Sequence, residues 1–367
     1  MAAMNIDKIK EALKDEPKYR TAQVMKAIFS DLIDDWGKAT ALPKPLREKL
    51  KKSCALDIKA EIKTDEDSSK ALITLEDGNK IETVLMRAAT RASGQDTDCL
   101  PTRNSVCVSS QVGCPLKCAF CATGKMGFTR NLTASEIAEQ VILWARTLAS
   151  AHERIDNVTF MGMGEPFLNY DNVIEAIKIL NDKVGFNLGA RHISISTAGI
   201  IEGINRLSEE PLQVNLALSL HAPNTQLRSD LMPINKTYEL EKVLTAVKNY
   251  INKTNRKVMI EYVMIDEIND SPQHAKELAA ILKKYLGRPS PHSSRKHDTH
   301  LFMVNLIEYN PTDTFKASSR DAISKFKQIL INEGIQTTQR FKFGRRLFGA
   351  CGQLAGRAGE FLTKKSH

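Results

Sequence analysis

The chain has 367 residues, 42% of them hydrophobic and 26% charged, the ordinary make-up of a globular protein with room for one large domain and a smaller one. No apolar run approaches the roughly eighteen residues of a membrane span, and the N-terminal Met1-Ala2-Ala3-Met4-Asn5-Ile6-Asp7 has no apolar signal core. Seven cysteines without a signal peptide argue against a disulfide framework and point to a reducing compartment, the cytosol, while a net charge of +9 is the footprint of a polyanion binder.

Residues 5–53 read as helical, because Ile6, Ile9, Leu13, Val24, Ala27, Ile28 and Leu32 recur at helical spacing and Pro43 and Pro45 interrupt the run before Leu46–Leu50 resumes it. Over 58–86 the period changes to two. Ala71–Leu75 and Ile81–Leu85 flank Asp77-Gly78, a hairpin signal. Residues 88–104 read as a polar loop. Apolar runs then appear at Val106–Ser109, Asn157–Met161, His192–Ser196, Val214–Leu220, Lys257–Ile265 and Phe302–Tyr309. Helical stretches at Thr133–Leu148, Asp171–Leu180, Glu239–Ile251, Gln273–Tyr285 and Arg320–Asn332 alternate with them, the first opened by a Thr133…Glu136 capping box. This alternation predicts an α/β fold with a parallel sheet, an open (β/α)6 partial barrel whose sites lie at the carboxyl ends of the strands. The expected division is a helical accessory domain at 1–57, a β-hairpin extension and loop at 58–103, the partial barrel at 104–343 and a tail at 344–367. The histidines of the polar linker 288–300 suit a solvated loop better than a metal site.

Gly113-Cys114-Pro115-Leu116-Lys117-Cys118-Ala119-Phe120-Cys121 follows the first of these strands. Three thiolates at CxxxCxxC spacing can hold three irons of a [4Fe–4S] cluster and leave the fourth iron open. The pattern resembles the radical-SAM superfamily, in which that open iron takes the amino and carboxylate groups of S-adenosylmethionine (SAM). A structural zinc site is the alternative. It needs four ligands, and with no second CxxC or HxxxH in the chain only Cys107 stands near enough to complete it.

Met161-Gly162-Met163-Gly164-Glu165-Pro166 ends the second strand, where bare backbone lets a ligand approach and a carboxylate can grip an ammonium group. Ser194–Gly199, Ser219-Leu220-His221 and Tyr309-Asn310-Pro311 end three more strands with polar groups that core packing does not require. Each alone reads as a turn or cap; together on one rim they favour a shared ligand. Gly349-Ala350-Cys351-Gly352-Gln353-Leu354 sets a cysteine between glycines, either a mobile thiol or a loop built to swing. Just upstream, Arg340, Lys342, Arg345 and Arg346 interleave with Phe341, Phe343 and Phe348. That pattern suits unpaired RNA, through phosphate contacts and stacking, or else a solvated amphipathic face.

From about Ile81 to Gly356, the segments Val106–Cys114, Met163–Pro166, Ser219–His221 and Ala350–Gly356 together resemble the RlmN/Cfr family, radical-SAM methyltransferases acting on adenosine in 23S ribosomal RNA. The resemblance implies Cys114, Cys118 and Cys121 as cluster ligands, and Gly164, Glu165, Ser196, Ser219, Leu220, His221 and Asn310 around SAM. It implies Cys351 as the methyl-carrying cysteine, Cys107 as its resolving partner and Glu82 as a proton acceptor. Further implied are two SAM molecules per turnover, 23S rRNA as substrate with transfer RNA as a second candidate, and an electron donor such as flavodoxin or ferredoxin. Adenine C-2 lies between two ring nitrogens and is too electron-poor to attack a SAM methyl group. By the family's route Cys351 is methylated first, and a radical made from a second SAM activates the S-methyl group. Cys107 then releases the methylated base by forming a Cys107–Cys351 disulfide that a reductant reopens. The C-2 position is favoured over C-8. A non-enzymatic RNA-binding protein with a structural metal is the reading from another class.

Overall fold

The computed structural model describes residues 4–89, 102–287, 300–312, 314–340, 347 and 349–356. The expected N-terminal helical stretch forms three helices, Ile6–Ala12, Lys18–Phe29 and Lys44–Ser53. Asn5 caps the first, its side-chain oxygen accepting from the Asp7 and Lys8 N–H groups. Their apolar faces close around Trp36 in a core of their own, which includes Ile9, Val24, Ile28 and Leu50. The Trp36 indole N–H donates to the Cys54 carbonyl at 2.7 Å, so the one polar atom of that ring is satisfied inside the core. Ala138 and Ile142, from the helix Ala134–Ala149, complete this core and join the module to the rest of the chain.

The strands are β1 (Ala60–Thr64), β2 (Ser68–Thr74), β3 (Lys80–Ala89), β4 (Thr102–Cys107), β5 (Gln111–Gly113), β6 (Phe128–Asn131), β7 (Asn157–Phe160), β8 (Ile193–Thr197), β9 (Asn215–Ser219), β10 (Val258–Met264), β11 (Phe302–Glu308) and β12 (Thr337–Gln339). One sheet runs β1-β2-β3-β4-β7-β8-β9-β10-β11-β12, and β5 and β6 pair separately as a small hairpin. The β1–β4 pairings are antiparallel, and every pairing from β4 onward is parallel. Among the described residues β1 and β12 pair on one side only, so the barrel is open, as expected.

Two features differ from the sequence reading. A seventh parallel strand is present, β12, whose three residues align with Val304–Leu306 of β11; so short a segment shows no period. The polar loop expected over 88–104 is also cut back at both ends. β3 continues to Ala89 and β4 begins at Thr102, with Arg87 opposite Asn104 and Ala88 opposite Arg103. The rest of that segment, and the linker 288–300 apart from His300, lie outside the described residues.

Helices Ala134–Ala149, Tyr170–Asn181, Leu240–Thr254, Pro272–Leu286 and Arg320–Asn332 fill the expected stretches, and Ile201–Glu209 and Thr225–Leu231 add two shorter ones. Val158, Ile193, Ile195, Leu218, Ile260 and Val304 on the parallel strands have no exposed surface and belong to the main core. The alternate positions face the barrel interior and are more polar. The register puts Glu261 of β10 beside Ser219 of β9 and Asn305 of β11, and Asn305 beside Thr338 of β12. Asn305 Nδ2 donates to Glu261 Oε2 at 2.9 Å, and the Thr338 hydroxyl donates to Asn305 Oδ1 at 3.1 Å. No helix among the described residues is long and apolar enough to cross a membrane.

The capping box forms as read: the Thr133 hydroxyl accepts from the Glu136 N–H at 3.2 Å, and the Glu136 carboxylate accepts from the Thr133 N–H at 2.9 Å. Because this helix joins the two cores, Thr133→Ala is expected to lower stability by about 1 kcal/mol in urea denaturation, the usual value of an N-cap.

Candidate active site

A cavity of about 160 Å³ opens at the carboxyl ends of the parallel strands, and Cys114, Cys118 and Cys121 all line it. The loop that carries them is clamped at its root. Gly113 ends β5 at φ +75°, and a Cβ there would lie 2.0 Å from the Gly127 carbonyl oxygen, so no other residue fits this close crossing. Cys114 N–H donates to that same oxygen at 2.8 Å, Ala119 N–H donates to the Leu231 carbonyl at 2.9 Å, and Cys121 N–H donates to the Cys118 carbonyl at 3.1 Å. Burial pushes the Cys114 thiol up to about 12 and the Cys118 thiol well above its ordinary value. The Cys114 and Cys118 thiols need a cationic group in place of their protons before they can ionise there.

The donor set fits a polynuclear cluster rather than a single ion. Among the described residues no three His, Cys, Asp or Glu side chains converge on one metal position. Cys107, the one candidate for a fourth zinc ligand, lines a different cavity. Three thiols from one loop, lining one cavity, match the donor set of a cluster with one open iron.

On the facing wall, Gly164 has φ +101° and a Cβ there would lie 2.6 Å from Gln111 Cβ, so the backbone passes where no side chain can. The neighbouring Glu165 is held from all sides. Its N–H donates to Gln111 Oε1 at 2.8 Å, and its carboxylate accepts from Phe167 N–H at 3.1 Å and Ala198 N–H at 2.8 Å. Burial still outweighs those hydrogen bonds and raises its pKa to about 7. The Ser196 and Ser219 hydroxyls lie 3.1 Å apart.

His221 sits at φ 59°, and its Nδ1 accepts from Val263 N–H at 3.1 Å, which leaves the ring proton on Nε2. Phe120, from the cysteine loop, meets the His221 ring edge-on at 4.9 Å. Gly164, Glu165, Ser196, Ser219, His221 and Asn310 thus share the cavity with the three cysteines. The Leu220 side chain does not join them. It is packed in the main core, and its N–H donates to the Glu261 carbonyl.

A second cavity, of about 30 Å³, adjoins the first and is lined by Cys107, Cys351, Arg340 and Asn310, the last three of which also line the larger one. Cys107 and Cys351 are both free thiols, so the expected disulfide is no standing part of this fold. Burial, and secondarily the nearness of Cys351, pushes Cys107 up to about 12 against the opposing pull of Arg340. Arg340, read from the sequence as an RNA contact, is part-buried at the strand ends. Its guanidinium lines both cavities, and Cys351, Glu261 and Cys107 all favour its charge. Lys342, Arg345 and Arg346 lie outside the described residues.

Glu82, for which the resemblance implies a proton-acceptor role, lies at the antiparallel end of the sheet on β3. It lines neither cavity; its Oε1 takes the Lys70 ammonium at 2.9 Å and its Oε2 accepts from Ala355 N–H at 2.8 Å. Glu261, by contrast, escaped the sequence reading and lines the larger cavity, where burial raises its pKa. Its signal was a carboxylate at an inward position of the otherwise apolar β10.

An open parallel barrel with a three-cysteine loop at the carboxyl end of its first parallel strand defines a radical-SAM protein, and residues 108–279 match the Radical SAM superfamily. Residues 4–56 match the ribosomal RNA large subunit methyltransferase N-terminal domain. A probable dual-specificity RNA methyltransferase RlmN of Dictyoglomus thermophilum is 43% identical over 96% of this chain and 95% of its own length. The ribosomal RNA large subunit methyltransferase N of Nitrosopumilus maritimus is 41% identical over 92% of each chain. The crystal structure of a radical SAM methyltransferase from Sphaerobacter thermophilus superposes with a TM-score of 0.84 at 39% identity, over 96% of this chain and 98% of that one. The chain belongs to the RlmN family.

Burial lowers the His221 pKa to about 3, with Arg228 adding to the effect. In the unfolded chain the ring titrates near its ordinary value of about 6.5, so the unfolded state binds the proton first as pH falls. His221 therefore removes stability from pH 6.5 downward, at up to about 1.4 kcal/mol per pH unit. His221→Gln is expected to flatten the fall in urea midpoint between pH 7 and pH 5 in cluster-free protein.

Proposed function

We propose that this chain is a radical-SAM RNA methyltransferase that methylates C-2 of an adenosine in 23S rRNA, with transfer RNA as a second substrate, through a methylated Cys351. The observation that carries this reading is the adjoining of two cavities, one walled by Cys114, Cys118, Cys121 and Glu165, the other by Cys107 and Cys351. A simple SAM-dependent transferase has no use for two further cysteines beside its donor site. A methyl-carrying cysteine and a resolving cysteine have to be neighbours. The names of the relatives, which include both a large-subunit rRNA methyltransferase and dual-specificity RNA methyltransferases, support the substrate class.

Cys114, Cys118 and Cys121 would hold the [4Fe–4S] cluster, which with SAM supplies a methyl group and one-electron cleavage to a 5′-deoxyadenosyl radical. The chain's own residues do the rest. Glu165, fixed by two backbone N–H groups, offers its carboxylate to the SAM ammonium, and the Ser196–Ser219 pair and the His221 Nε2–H offer hydroxyls and a neutral donor. Arg340 sets a positive charge beside Cys351, the residue that takes up the methyl group. Cys107, on β4, stands where it can attack the Cys351 sulfur while a methylene still links that sulfur to the base. The S–S bond forms as the C–S bond breaks, the electron pair goes to the methylene carbon, which takes a proton to become the methyl group, and a thiol reductant then reopens the Cys107–Cys351 disulfide. Two SAM molecules are consumed, one as methyl donor and one as radical source, and a flavodoxin or ferredoxin supplies the electron.

Anaerobic incubation of the reconstituted enzyme with SAM, a reductant and protein-free 23S rRNA should yield 2-methyladenosine by nucleoside mass spectrometry; 8-methyladenosine in its place would overturn the regiochemistry. Cys351→Ala should keep the cluster chromophore and lose all RNA methylation. Cys107→Ala should accumulate a protein–RNA adduct on a denaturing gel, and normal turnover without adduct would remove Cys107 from the mechanism.

A further inference from the structure

The loop that carries Cys351 is held by groups from separate parts of the fold. Ala122 N–H donates to the Gly352 carbonyl at 2.8 Å, and the Thr123 hydroxyl donates to the Leu354 carbonyl at 2.7 Å, so the turn after Cys121 grips it from one side. Asn310 Nδ2 donates to the Cys351 carbonyl at 3.3 Å. Gln353 Nε2 donates to the Pro311 carbonyl at 3.3 Å, and a further hold comes from the antiparallel end of the sheet, where Ala355 N–H donates to Glu82 Oε2 at 2.8 Å. Glu82 is 2% exposed, and its other oxygen is taken by the equally buried Lys70.

We propose that Lys70 and Glu82 are positioning residues, a buried ion pair that latches the Cys351 loop through the Ala355 backbone. A buried carboxylate is tolerated only when its oxygens are occupied. Lys70 occupies one, and the Ala355 N–H takes up the other. Of the loop's contacts this is the one made to a charged acceptor, and such bonds are roughly twice as strong as neutral ones. The others join neutral groups. Ala355 lies four residues beyond Cys351, so opening this bond releases the charged tie on the far side of the loop, leaves it held there by the Thr123–Leu354 bond, and loosens the hold on the thiol. Glu82 thereby acts through the loop. The importance of the latch rests on the carrier role proposed for Cys351, whereas its geometry does not.

The test removes the pair together, so that no charge is left buried alone. In reconstituted full-length protein, hydrogen exchange of the peptide containing Ala355 and iodoacetamide alkylation of Cys351 are followed by mass spectrometry, with β9 exchange as a check that the barrel is intact. K70M/E82A should accelerate both readouts by about tenfold, the value of one hydrogen bond to a charged group in a local opening. K70M/E82Q keeps a neutral acceptor and should return part of the protection, leaving exchange several-fold above that of the unaltered protein. Should the alanine form fail to fold, K70M/E82Q carries the test alone, and its Ala355 exchange must lie several-fold above that of the unaltered protein. Unchanged exchange and alkylation in the folded variant would overturn the latch. Neither readout needs RNA or turnover, so failure of the latch and failure of the proposed reaction are seen separately.

Discussion

The contact on which this architecture depends is the one between the turn after Cys121 and the loop after Cys351. Two hydrogen bonds, from Ala122 N–H and the Thr123 hydroxyl to the Gly352 and Leu354 carbonyls, join parts of the chain separated by some 230 residues. They turn the end of the chain into a wall of the cavity that the three cysteines line. An open barrel leaves that rim accessible, and the parallel strands deliver their polar ends to it; without the tie, Cys351 would belong to a tail and not to a site. The clamp at Gly113 and Gly127 fixes one side of this contact, and the buried Lys70–Glu82 pair fixes the other.

Within the cavity burial dominates the electrostatics. Cys107 is pushed up although a guanidinium stands near it, and Glu165 is pushed up although its oxygens accept backbone hydrogen bonds. The low-dielectric surroundings thus make Cys107, Cys114 and Glu165 poor at carrying charge by themselves and responsive to a charged ligand. A cationic ammonium beside Glu165 or a positively charged iron beside Cys114 reverses the local penalty. The fold supplies the donors, and their ionised forms come with what they bind.

Much of this was legible from sequence, for identifiable reasons. The cysteine spacing and the Gly164-Glu165 turn are local, so their geometry follows from a few adjacent residues. The long helices and the six longer parallel strands declare themselves by period. The place of Arg340 was not legible because it is tertiary. Beside aromatic residues near a chain end it has the pattern of a surface cation. Only the pairing of β12 with β11 puts Thr338 level with Asn305 and turns Arg340, two residues on, to the same inward face. Glu261 was hidden within an apolar run for the same reason. The place of Glu82 could not be read either, because its partner Ala355 lies 273 positions away. The RlmN/Cfr resemblance supplied a role for that residue, and the local sequence said nothing of its surroundings.

A ten-stranded open sheet has two rims of unpaired backbone groups, and such rims invite other chains to add to them. Both rims here are poor templates. At one end β12 is three residues long, too short to align an incoming strand. At the other, β1 is Ala-Glu-Ile-Lys-Thr, solvent-facing along most of its length, with a charge on each side of its exposed isoleucine. A strand docking there would have to strip water from Glu61 and Lys63. The openness of the sheet is thus kept from becoming a route to self-association.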